Sequence, residues 1–396
     1  MRRSFRLDPA IASQTPTEVF GLIAQCLSSH PQPAIDQITR RGWWEYVAAE
    51  AIDARMGAIL LDRLTQLGVE MPVSAVSQMQ AYRDHVSAAN AYKFAEVGVV
   101  LNRLRMANVP YLLLKGAALN AMLYDAGLRP MTDVDVLIWP EDVAIADRVL
   151  CNAGACAGKE LVRPDFYPRY YYEREYFTRR NPAVKIDLHC RPFGMLRYAR
   201  TVPDDAMWNR HRDATLAGLD VQVPGPEEML IHLAVHAACH GNSQLCWLYD
   251  ILLWTQRFGH EINVTSVAEK CRRWRLSWPV HRALKRTQEW FGMDSDTKLA
   301  ALLDATKTIV GPMDRIALAA APLGQSAPVL RAMANAITTP GIRFRLGYLS
   351  AVLLPDASHL EQLYHRRHVG WQLAAHAVRA GRCIRRALAD ADAMTV

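Results

Sequence analysis

The sequence predicts an α+β protein: a small mixed sheet with flanking helices, set between an N-terminal and a C-terminal helical lobe. Apolar residues recur at helical spacing from Thr17 to Val109 and again from Pro224 onward. Between those stretches, short apolar runs alternate with single helices. The 396 residues are 51% hydrophobic and 21% charged, enough to bury a substantial core and leaving no low-complexity or disorder-prone stretch. The boundaries read as 1–108 for the first lobe, 109–200 for the sheet and 201–396 for the second lobe.

In the first lobe Val47, Ile52, Met56, Ile59, Leu60 and Leu64 follow helical spacing, and Gly68 with Pro72 separates one helix from a long one over Val73 to Ala107. At Pro110 the period changes. Tyr111-Leu112-Leu113-Leu114 is a short apolar run ending at Lys115-Gly116, Ala117 to Tyr124 reads as a helix, and Val134 to Trp139 is a second apolar run. Pro140-Glu141-Asp142 opens a helix to about Ala153, because proline fits a first turn and acids complement the helix dipole. Tyr170 to Arg179 alternates aromatic and charged residues, and Val184 to His189 alternates inside and outside, which predicts two more strands. Pro226-Glu227-Glu228 then starts a helix over Met229 to Ala238, followed by helices over Gln244 to Phe258 and Ser277 to Phe291.

Composition narrows the function classes. Lys and Arg number 46 against 39 Asp and Glu, a net charge of +7 without the localised excess of a dedicated phosphate-binding surface. Basic residues do gather at Lys270 to Arg286 and at Arg366, Arg367, Arg379, Arg382, Arg385 and Arg386, but no RNA-binding module accompanies them, so they read as solvated helix faces. Cysteines 26, 151, 156, 190, 239, 246, 271 and 383 form no CxxC pair, which argues against a zinc site or a disulfide framework and for reduced thiols. Asp8, Pro9, Gln14 and Thr15 interrupt any signal-peptide core, and the richest apolar run, Leu346 to Leu354, is too short to span a bilayer. A cytoplasmic protein without a membrane partner is expected.

The chemistry gathers on the predicted strands. In Thr132-Asp133-Val134-Asp135-Val136 the two acids lie two residues apart, hence on one face of a strand. Such carboxylates repel one another unless a cation lies between them, and hard oxygen ligands select Mg²⁺ or Mn²⁺. Taken alone the pair also describes solvated acids at a strand edge. Asp187, in Ile186-Asp187-Leu188-His189, could supply a third acid from a neighbouring strand, and three carboxylates across two strands can hold two metal ions. Upstream, Lys115-Gly116-Ala117 turns from strand into helix, where free N–H groups favour phosphate, with Lys115 and Arg129 as countercharges.

At Leu114-Lys115-Gly116-Ala117-Ala118-Leu119, Tyr124, Arg129 to Leu137 and Ile186 to His189 the chain resembles the polymerase-β-like nucleotidyltransferase superfamily, particularly an uncharacterised bacterial branch of it. The resemblance covers about residues 109 to 190, and the segment from His232 to Asp250 is also similar to that branch. It implies Asp133, Asp135 and Asp187 as catalytic metal ligands, and Gly116 as the phosphate-loop glycine, with Lys115, Ala117 and Arg129 beside the nucleotide. It also implies transfer of a nucleoside monophosphate, AMP from ATP, to an acceptor hydroxyl with release of pyrophosphate. The superfamily usually places Gly-Ser or Gly-Gly about ten residues before the first acid, whereas Gly116-Ala117 lies further upstream here and lacks the serine.

His232, His236 and His240 lie at helical spacing on one stripe. Without an HExxH glutamate or a further ligand they read as packing residues, with Asp250 as a partner; as functional groups, His189, His236, His240 and Asp250 would line the acceptor pocket. A small molecule, peptide or protein acceptor is expected rather than RNA. Two other readings use the same residues: a non-catalytic nucleotide-binding or protein-interaction module, and an RNA-directed, toxin-like nucleotidyltransferase whose affinity would come from the basic C-terminal face.

Overall fold

The structure is a computed structural model that describes residues 16–158, 166–292, 297–323 and 328–353. The chain opens with helices α1 (Pro16–Cys26), α2 (Gln32–Arg41), α3 (Trp44–Asp53), α4 (Gly57–Gln66) and α5 (Val73–Met106). Their inward residues, including Val47, Leu60 and Leu64, are fully buried, as the helical spacing requires.

The mixed sheet follows. Strand β1 (Tyr111–Leu113) leads into α6 (Lys115–Met122), then β2 (Asp133–Ile138), α7 (Val143–Asn152), β3 (Cys156–Ala157), β4 (Glu173–Phe177) and β5 (Lys185–His189). The spatial order is β1-β2-β5-β4-β3, with β2 and β5 parallel and the other neighbours antiparallel. Val134, Val136, Ile138, Ile186 and Leu188 are buried on one face, and α6 packs against β2. Tyr170 and Tyr171, expected in a strand, instead belong to a wide π-helical turn over Tyr167–Tyr171, closed by the Tyr172 N–H on the Tyr167 carbonyl at 2.9 Å, that ends where Tyr172 takes a left-handed φ of 64°. Strand β4 starts only after that reversal.

After the short α8 (Leu196–Ala199) comes a hairpin, β6 (Arg212–Leu216) and β7 (Leu219–Val223), in a region expected to be purely helical. Its residues alternate, and Ala217 and Gly218 both have positive φ (49° and 81°), the two-residue turn that suits the strand twist. The hairpin packs against β1 and α6, extending the apolar layer beside the sheet.

Helices α9 (Pro226–Cys239), α10 (Leu245–Phe258), α11 (Val264–Arg273), α12 (Ser277–Phe291), α13 (Thr297–Ala305), α14 (Pro312–Ala320), α15 (Pro328–Thr338) and α16 (Ile342–Leu353) complete the described chain. Helix α9 packs against α10, α11 and α12, so even its first-turn acids are covered. Glu227 and Glu228 are buried there, and the Lys270 ammonium bonds both. Buried apolar side chains form one cluster running from Val19 to Ala351. Among the described residues the cysteines are free thiols and no helix is long and apolar enough to cross a membrane. Cys383 and the arginines from Arg366 to Arg386 lie outside the described residues.

Candidate active site

Strand register builds the site. Across the parallel β2–β5 pair, Asp133 lies opposite Lys185, Asp135 opposite Asp187 and Leu137 opposite His189. Across β5–β4, Asp187 lies opposite Glu175 and His189 opposite Glu173. Side chains two apart share a strand face, so Asp133, Asp135, Glu173, Glu175, Lys185, Asp187 and His189 all stand on one face of the sheet. That face is the floor of a cleft of about 430 Å³, walled by the first turn of α6, the Arg129–Thr132 segment, α9 and Arg331 of α15.

The carboxylates are held by ammonium groups. Lys115 Nζ donates to Asp135 Oδ1 at 2.6 Å, and His189 Nε2 lies 2.9 Å from the same oxygen. Lys115 opens α6 just after β1 at φ 45°, a left-handed conformation uncommon outside glycine. Lys185 Nζ lies 2.9 Å from both Asp187 and Glu175 and 3.8 Å from Asp133. Burial works against ionisation of Asp135, but the Lys115 charge and His189 outweigh it and hold that carboxyl well below the usual range. Asp187 goes the other way: burial, then the charges of Glu173 and Asp135, push it up to about 7. Its Oδ1 is buried with no hydrogen-bond partner, as is His189 Nδ1. Among the described residues no three His, Cys, Asp or Glu side chains are grouped closely enough to enclose a metal ion.

The phosphate-side residues divide. Gly116 lines the cleft, and a side-chain carbon there would come within 3.0 Å of Met131 Cγ. Ala117 is fully buried and its methyl packs in the core, which leaves only its backbone N–H near the start of α6. Arg129 also borders the cleft, but its charge is committed: Nε lies 3.0 Å from Asp250 Oδ1 and a terminal nitrogen 2.7 Å from Oδ2. Tyr124 donates to the same carboxylate at 2.7 Å. Asp250, expected to partner the histidines, therefore serves Arg129 and Tyr124 instead. The Arg129 carbonyl in turn accepts from Asn90 at 2.9 Å and Asn120 at 3.3 Å, which fixes the segment entering β2.

The histidine stripe forms the opposite wall. His232 is fully buried, stacks on Phe193 at 5.5 Å, and has no partner for either ring nitrogen. Burial, helped by the Lys115 charge, lowers it to about 3, so it is neutral. His236 and His240 are lowered for the same reasons and pack edgewise around Trp247, with ring centroids 4.8 and 5.0 Å away. The structure thus brings Asp133, Asp135, Asp187, Lys115, Gly116, Arg129, His189, His236, His240 and Asp250 to one cleft. Sequence reasoning did not single out Lys185 as a cation among the acids, nor Glu173 and Glu175, nor the cleft-lining Arg55 and Arg331. Lys185 and the two glutamates were legible in principle as alternating charges on the predicted strands; the arginines carry no local pattern.

Residues 41–292 match the family described as uncharacterised nucleotidyltransferase. Among solved structures, the crystal structure of an antigenic nucleotidyltransferase-like protein from Paracoccidioides brasiliensis is similar at 14% identity and a TM-score of 0.33, over 57% of this chain and 92% of that one. No curated protein matches the chain.

Proposed function

We propose that this chain, which belongs to the uncharacterised nucleotidyltransferase family, transfers a nucleoside monophosphate, AMP from ATP, to the hydroxyl of an acceptor. The acceptor oxygen forms a bond to the α-phosphorus, the bridging bond between the α-phosphorus and the β-phosphate oxygen breaks, pyrophosphate leaves, and the hydroxyl proton is released. One observation carries the reading: Asp133, Asp135 and Asp187 share the cleft-facing side of two adjacent parallel strands, beside the first turn of α6.

The donor set is of the kind that Mg²⁺ or Mn²⁺ takes, but it is closed around Lys185 rather than an ion, so binding requires that ammonium to move. All three acids offer hard oxygens, Asp187 Oδ1 is buried without a partner, and the face already gathers ammonium groups. Asp133, Asp135 and Asp187 would hold the ion, with Lys185 turned aside. Bound there, such an ion would lower the pKa of the acceptor hydroxyl and screen charge on the triphosphate. The protein's own groups do the rest. Lys115 keeps Asp135 ionised and aimed. The free N–H groups at the start of α6 receive phosphate oxygens, since a helix N-terminus presents unpaired donors and a positive dipole end. The neutral wall of His232, His236, His240 and Trp247 excludes water from one side of the reacting groups.

The test uses ATP labelled at the α-phosphate, with Mg²⁺ or Mn²⁺ and a panel of small alcohols, peptides, proteins and tRNA. Metal-dependent label transfer with pyrophosphate release is expected; a protein that ignores both nucleotide and metal refutes the proposal. Nucleotide binding without turnover would identify a non-catalytic module. Label on RNA with a steep salt dependence would identify the RNA-directed reading.

A further inference from the structure

When the charges of the cleft are paired off, two cations remain. Lys115 bonds Asp135, Lys185 bonds Glu175 and Asp187, and Arg129 bonds Asp250. Arg55, between α3 and α4, and Arg331, on α15, both line the cleft and have no ion pair or side-chain hydrogen bond among the described residues. A guanidinium stays charged throughout the physiological range, and leaving it unpaired in a partly water-excluded cleft is unfavourable. Each therefore marks a place where an incoming anion completes the site.

The two places differ. The Arg55 charge acts on Tyr82 and Cys246, toward the first helical segment, whereas that of Arg331 acts on Tyr171, Cys239 and His240. Gly194 lies between Arg331 and Glu173, which faces His189 across β4–β5, and this puts Arg331 at the end of the cleft where β5 carries Asp187. The absent side chain of Gly194 leaves room there: a carbon built on it would lie 3.6 Å from an Arg331 terminal nitrogen and 3.6 Å from Glu173 Oε2. Beside this cation stands the uncharged aromatic wall of His236, His240 and Trp247, which offers apolar contact but no competing charge.

We propose that Arg331 reads an anionic group on the acceptor, so that the acceptor is a hydroxylated carboxylate or phosphate ester with its hydroxyl at Asp187 and its anion on the guanidinium. The proposal rests on the nucleotidyl-transfer reading for the position of the hydroxyl. In it the triphosphate lies at the α6 end with Arg55, and the Arg331 end is left to the acceptor.

The experiment measures binding to the full chain by calorimetry in two stages. First, α,β-methylene-ATP with Mg²⁺ is titrated into the wild type, Arg331→Gln, Arg331→Lys and Arg55→Gln. Then, with that analogue bound, glycerol 1-phosphate, lactate and neutral glycerol are titrated. The wild type should bind at least one of the two anions and not glycerol; which anion binds distinguishes phosphate from carboxylate. Arg331→Gln should weaken that binding about ten- to a hundredfold, the loss of a charged hydrogen bond, with nucleotide affinity kept as evidence of folding. Arg331→Lys should restore part of it, because an ammonium keeps the charge but not the planar fork. Arg55→Gln should weaken the nucleotide analogue instead. If the analogue binds but neither anion does, if glycerol binds equally well, or if Arg331→Gln weakens the nucleotide rather than the anion, the proposal is overturned and nucleotidyl transfer stands. If the analogue itself does not bind, the underlying reading falls and the proposal with it.

Discussion

Replacing Asp250 by Asn removes one charge from a buried pair while leaving its volume unchanged. The Arg129 and Asp250 side chains are only 7% and 1% exposed, and bonds at 3.0 and 2.7 Å join them. With Asn at position 250, an amide faces a guanidinium that has no other anion. Removing one member of such a pair typically costs about 3–5 kcal/mol, because the remaining charge stays buried without compensation. A double variant, Arg129→Met with Asp250→Leu, removes both charges; what it still leaves is the part-buried Pro130 carbonyl without its Arg129 donor and the buried Tyr124 hydroxyl without an acceptor, the latter worth about 1–3 kcal/mol. Urea unfolding followed by tryptophan fluorescence should therefore rank the double variant as more stable than Asp250→Asn alone. A single substitution costing under about 1 kcal/mol, or a double variant that loses the sum of its two singles, would refute the argument, because either result means the pair is not held in a dry environment.

Asp187→Asn should lower turnover by on the order of 10² or more while nucleotide-analogue affinity falls only modestly, and Asp133→Asn should impair both; steady-state kinetics with parallel analogue titrations separate the two, and normal turnover by Asp187→Asn excludes it from the acid set. Lys185→Met leaves Asp133, Glu175 and Asp187 without their shared cation, so it should lower the melting temperature in chelator more than in Mg²⁺; an equal loss in both conditions would show that the lysine and the ion do not compete for those oxygens. His232 is lowered to about 3 in the folded chain, so the stability linked to its neutrality is complete above about pH 6.5 and is lost as the pH falls, when the unfolded chain takes up a proton. His232→Leu should remove this dependence, shifting the stability difference between variant and wild type by about 2 kcal/mol from pH 7 to pH 5; parallel denaturation curves at both pH values would contradict a buried neutral ring.

The sequence pattern shows the floor of the site more clearly than its walls. Asp133, Asp135 and Asp187 interrupt short apolar runs, and alternation alone puts the first two on one face. What alternation cannot supply is register: that Asp135 meets Asp187 and Asp133 meets Lys185 depends on how two parallel strands slide past each other. The same limit hid the commitment of Arg129 to Asp250, a contact between distant segments, and gave Asp250 a histidine partner it does not have. Glu227 and Glu228 look like ordinary first-turn acids, and only the packing of α9 among its neighbours shows them buried on Lys270. The β6–β7 hairpin was missed for a different reason, since Ala-Gly is a weaker turn signal than Asn-Gly or Asp-Gly.

The parallel pairing of β2 with β5 also bears on how the chain reaches its fold. Everything from Trp139 to Val184 must be looped out before Asp135 can lie beside Asp187, so this contact forms at a high entropic cost and ranks among the non-local ones that slow folding. It also brings like charges together at the moment of closure. Lys185 enters on the same strand as Asp187 and is in register with Asp133, so the incoming strand carries its own counterion. The ammonium that looks like an obstacle to metal binding in the finished site is, during assembly, the group that lets the acidic strands approach each other without a metal.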